Sequence, residues 1–175
     1  MDSHIEDALL RWSVRIAVLL YLGRVWTEWN APGSCQNYAT LVRRARWLWT
    51  IGGLFYFAHV LYAFAFVHHW SHAQAYRHTA EQTAAMTGIH WGGGLHLNYV
   101  LTLIWLVDIA AWWSVDVQFP YRSKIYFILL HSFFAFMVFQ ATVVFGPVWW
   151  KCFALLAAVA VGGIECARAR QRTKG

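Results

Sequence analysis

At 175 residues the chain has the length of one domain, but 59% of it is apolar and 18% aromatic against 13% charged, a balance that excludes an ordinary soluble globular domain. The formal net charge of +6 is spread over separate short segments with no compact basic module, which excludes nucleic acid as the partner. What remains is an integral membrane protein whose first partner is the lipid bilayer.

The first apolar run, 9–28, carries Arg11, Arg15 and Arg24. A charge at the centre of a spanning helix costs about 2.5–3.5 kcal/mol, so this run either spans with Arg15 and Arg24 snorkelling to opposite faces or lies flat in the interface. Asp2, Glu6 and Asp7 make its start acidic and no small-residue cleavage site follows, so it is expected to stay in the mature protein. The second run covers 47–69. Between Leu54 and Thr87 there is neither Gly nor Pro, so its helix is expected to continue past the membrane over 70–87 and to end near Gly88. The third, fourth and fifth runs cover 95–114, 125–145 and 148–165, near the length of about 20 residues that crosses a bilayer. Tryptophans cluster at run ends, at Trp26/Trp29, Trp47/Trp49, Trp112/Trp113 and Trp149/Trp150, where indole prefers the headgroup level. The predicted fold is an all-α membrane bundle of five transmembrane helices in one domain, or four if the first run lies flat.

Basic residues alternate between connections. Arg43, Arg44 and Arg46 precede the second run, Arg122 and Lys124 separate the third from the fourth, and Arg168, Arg170, Arg172 and Lys174 end the chain. The positive-inside rule assigns these segments and the C terminus to the cytoplasm. A multi-pass protein of a prokaryotic inner membrane is the expected setting.

That threading sends His68, His69, His72, His78, His90 and His96 outward, six of the nine histidines. On one continuous helix, at about 100° per residue, His68, His69 and His72 share a quadrant. His96 opens the third span and His90 lies in "GIHWGGGLHLNY", where Gly92, Gly93 and Gly94 permit a tight turn or close approach to a flat ligand. Converging imidazoles bind transition metals or haem iron; a polar collar of interfacial histidines needs no cofactor. The His68-His69-x-x-His72 spacing resembles one histidine box of the membrane di-iron hydroxylases and desaturases. Those enzymes carry several boxes on the cytoplasmic side, and a single outer box excludes that family.

Three polar residues fall inside the predicted spans: His59, Asp108 and His131. Intramembrane ionisable groups are functional candidates, and Asp108 and His131, at similar predicted depth, form a candidate pair for a quinol head group or a proton path. A hydrogen bond that merely joins two helices is the alternative. Bis-histidine haem ligation is open to His59 with His131 or to His68 with His96. No CxxCH is present, so any haem is b-type. Cys35, Cys152 and Cys166 make neither a disulfide framework nor a metal motif, and no phosphate loop or dinucleotide fingerprint occurs. The expected function is a small redox subunit that holds b-type haem or a metal at the outer histidines and exchanges electrons with quinol or a partner. A cofactor-free accessory or assembly subunit, bound to other membrane subunits or to its own copies, is the second reading, and a metal-ion carrier the third.

Overall fold

The computed structural model describes residues 3–29, 38–114, 124–149 and 151–152. Among them every regular element is helical: α1 (Ser3–Trp29), α2 (Tyr38–Tyr62), α3 (His72–Thr87), α4 (Gly94–Ser114) and α5 (Lys124–Phe139), with single π-turns at Ala63–Val67 and Gln140–Val144. Among the described residues, three stretches are long and apolar enough to cross a membrane: Ala39–Val67, Gly94–Ser114 and Ile125–Val144. The chain is therefore a multi-pass membrane protein. The predicted fifth run and the basic tail lie almost wholly outside the described residues.

The chain divides into two units, Met1–Arg122 and Ser123–Gly175. In the first, α2 lies between α1 and α4, and small residues let it. A Cβ at Gly52 would stand 3.3 Å from Leu20 Cβ and 3.2 Å from the Trp105 ring, and one at Gly53 would stand 2.5 Å from Ile109 Cδ1. The missing side chains let neighbours approach both sides of one helix, the usual device where helices meet in lipid. The α1 seam is Ser13, Ala17, Tyr21 and Arg24; that of α4 is Leu101, Trp105, Asp108 and Trp112. Both follow three- and four-residue spacing, which keeps side chains on one helix face.

The tryptophan pairs do not all belong to belts. Trp49 and Trp112 are fully buried, whereas Trp47 and Trp113 are exposed and pack edge to face at 5.1 Å. Neighbours one or two positions apart on a helix point to different sides, so Trp47/Trp49 and Trp112/Trp113 each supply one core ring and one exposed ring. In the second unit, Leu130 and Phe134, one turn apart on α5, are buried, and a π-turn closes the helix through Phe145 N–H to the Gln140 carbonyl, 3.0 Å.

The second helix is not continuous to Gly88. It ends in the π-turn, where His68 N–H reaches the Ala63 carbonyl at 3.1 Å. His69 (φ 46°) and Trp70 (φ 60°) then take left-handed backbone conformations, each a cost of about 1–3 kcal/mol for a residue other than glycine. Ser71 starts a new helix, its Oγ accepting from the Gln74 N–H at 3.3 Å, an N-cap. Gly88, at φ 75°, ends α3.

Candidate functional site

The kink at His68–Ser71 turns α3 back toward the start of α4, and the glycine run lets the two meet. A Cβ on Gly92 would lie 2.6 Å from the Tyr76 carbonyl oxygen, and one on Gly94 3.2 Å from Thr79 Cγ2. Ala75 and Ala80 fill the inner side of α3. Two turns of α3 and the first turns of α4 are thereby held side by side, each presenting an imidazole and a phenol.

His72, the first residue of α3, and His96, near the start of α4, have ring centroids 6.1 Å apart at 64°. Tyr99, one turn along from His96, stacks on His72 at 5.8 Å, and its hydroxyl is 3.0 Å from His72 Nδ1. Tyr76, one turn along from His72, meets His96 edge-on at 6.0 Å. A second imidazole pair lies beside the kink: His68 and His78 are 5.5 Å apart. His68 is buried and Phe64 packs against its edge at 5.7 Å. Burial, followed by the neighbouring His78 and His69, pushes the His68 pKa below the ordinary imidazole value. The Gln82 side-chain amide lies 3.0 Å from His78 Nε2 and donates to it in the neutral tautomer that leaves this nitrogen free to accept.

The six outer histidines are thus not one cluster. Four form two pairs, and His69 and His90 are exposed with no hydrogen bond or ring contact among the described residues. The shared quadrant of His68, His69 and His72 is lost because the helix breaks between them. Nor does His68 stand beside His96: its imidazole partner is His78, and that of His96 is His72. Among the described residues, no three His, Cys, Asp or Glu side chains come together as a metal site.

Of the intramembrane candidates, His59 and Asp108 belong to the first unit and His131 to the second. His59 Nδ1 donates to the Leu10 carbonyl at 2.9 Å, which also accepts from Ser13 Oγ at 3.0 Å, so this histidine ties α2 to α1. Asp108 is 1% exposed and lies one turn from Trp112 on the α4 seam that packs in the first unit. His131 belongs to the second unit, where it packs on Phe127 at 4.2 Å.

Two features escaped the sequence reading. Tyr76 and Tyr99 complete the outer site, signalled only by their one-turn spacing from His72 and His96. Arg24 does not snorkel: it is 2% exposed, paired with Glu28 at 2.9 Å, and its guanidinium lies 3.9 Å from the Trp49 ring and 4.9 Å from the Trp112 ring. Glu28 four residues on was the available signal.

No protein-family model matches the chain, and neither a curated protein nor a solved structure matches it.

Proposed function

We propose that the chain is a small membrane redox subunit with a b-type haem at its outer histidine–tyrosine site, where His72 and His96 would hold it. The observation that carries this reading is the arrangement of the outer histidines in pairs, with no triplet among the described residues. A zinc site draws three or four ligands from the protein, whereas a porphyrin brings four nitrogens and needs only one or two imidazoles. Two imidazoles on neighbouring helices would meet that need, and the His72 and His96 ring centroids are 6.1 Å apart.

The chain's own residues then have assigned tasks. His72 and His96 bind; Tyr99 holds the Nδ1 side of His72, which fixes the ring and leaves Nε2 as the ligand, the usual outer support of a ligating imidazole. When bound, the haem supplies a one-electron centre. The left-handed pair at His69–Trp70 fits the tendency of stored backbone strain to gather at functional sites. Quinol or a partner protein is the electron donor or acceptor. Five spans, a cytoplasmic C terminus in a prokaryotic inner membrane and α3 on the outer face complete the reading, supported by the alternation of basic connections.

The test is a dithionite-reduced minus air-oxidised optical spectrum of the detergent-purified protein. A sharp α-band and a Soret shift are expected, lost in His72→Ala and in His96→Ala and kept in His69→Ala and His90→Ala. A flat wild-type spectrum removes the haem, and a signal that survives both ligand variants removes this pair. The cofactor-free accessory subunit is the second reading, favoured by Trp70, Ile89 and Trp91, which are 67%, 65% and 52% exposed outside the three membrane-crossing stretches. A flat spectrum together with a co-purifying membrane partner that Trp70→Ala or Trp91→Ala releases would establish it.

A further inference from the structure

At the opposite end of α2 from the histidines, an open groove of about 580 Å³ runs between α1 and α2, lined by Gly23, Thr27, Thr40, Arg43, Arg44, Trp47, Leu48 and Ile51. We propose that it binds an anionic phospholipid, with Arg43 and Arg44 on the phosphodiester and the acyl chain along Leu48 and Ile51. This inference is independent of the histidine site.

Its chemistry is split by depth. Arg43 and Arg44 are exposed at the mouth and make no ion pair among the described residues. Their neighbour Arg46 is engaged otherwise, its guanidinium 4.1 Å from the Trp113 ring. Both side chains line the groove, and two long guanidinium-bearing side chains that reach one groove can share a phosphodiester through charge-assisted hydrogen bonds. Thr40, about one helical turn from the arginines, adds a hydroxyl to the lining. Leu48 and Ile51 continue the groove as hydrocarbon.

The groove also sits at headgroup depth. Trp47 is 49% exposed and packs on Trp113, whose Nε1 donates to Thr50 Oγ1 at 2.9 Å. Half-exposed indoles beside arginine mark a membrane–water interface, and basic pockets between transmembrane helices bind anionic head groups. Net charge decides among lipids. Phosphatidylglycerol offers a phosphodiester with no cation attached, whereas phosphatidylcholine would bring a quaternary ammonium between two arginines.

The experiment is native mass spectrometry of the delipidated, detergent-purified protein titrated with phosphatidylglycerol or phosphatidylcholine, with inorganic phosphate as competitor. The wild type is expected to prefer phosphatidylglycerol. Arg43→Gln/Arg44→Gln should weaken its binding by about 10- to 30-fold, from the contribution of two arginines near an anionic headgroup. Arg43→Lys/Arg44→Lys should retain most of it, and circular dichroism should show unchanged helix in both. Equal binding of the two lipids, or an unchanged preference in the glutamine variant, overturns the proposal. Full displacement by inorganic phosphate overturns it too, by assigning the groove to a free anion.

Discussion

Replacing Arg24 with methionine isolates the charge that the sequence makes least welcome in α1. Methionine keeps an unbranched apolar stem and removes the guanidinium from between Trp49 and Trp112. Glu28, with its side chain 11% exposed, then loses its ion-pair partner. Breaking a buried pair by deleting one member costs about 3–5 kcal/mol, chiefly the orphaned charge, and the loss includes desolvated cation–π contacts of about 2 kcal/mol. The expected cost of Arg24→Met is therefore about 3–5 kcal/mol. Adding Glu28→Gln removes the carboxylate charge and should recover all but about 2 kcal/mol, the part due to the rings. Unfolding by dodecyl sulfate in mixed micelles, followed by far-ultraviolet circular dichroism, gives both numbers. A single variant costing less than about 1 kcal/mol, the range of solvated surface pairs, would refute the reasoning, because the pair would then be hydrated and not buried.

Two further outcomes follow from the outer site. Gly92→Ala puts a Cβ 2.6 Å from a backbone oxygen of α3, overpacking worth about 1–3 kcal/mol; α3 should detach and trypsin should cleave after Arg77, and a wild-type digestion pattern would show that the backbones yield. His68 has a folded pKa below its unfolded value, so its contribution to stability is present above about pH 6.5 and is lost as pH falls through the folded value. Amide exchange at residues 68–71, corrected for intrinsic rates, should accelerate on acidification, and a pH-independent corrected rate would count against it.

The spans were legible because length and hydropathy are summed over many residues: the runs read at 47–69, 95–114 and 125–145 appear as Ala39–Val67, Gly94–Ser114 and Ile125–Val144. What single positions decide was harder to read. The break after Val67 uses His69 and Trp70 in a conformation that glycine would have advertised, so the absence of Gly and Pro was misleading. Its one local signal was Ser71 with Gln74 three residues on, a capping-box spacing. The histidine pairs needed the fold itself, since His72 and His96 meet only because α3 turns back and Gly92–Gly94 lets it close. Arg24 looked like a liability because hydropathy treats residues one at a time, whereas its partners come from three helices.

That shelter has a timetable. Glu28 leaves the ribosome just after Arg24, but Trp49 arrives later and Trp112 only near the end of the first unit. At synthesis rates of about 5–20 residues per second, the guanidinium waits several seconds for its second ring. During that interval α1 carries a charge that its own helix satisfies only in part, so an earlier helix is completed by a later one. The packing of α1 therefore waits on the synthesis of α4, and the first unit is settled as a whole.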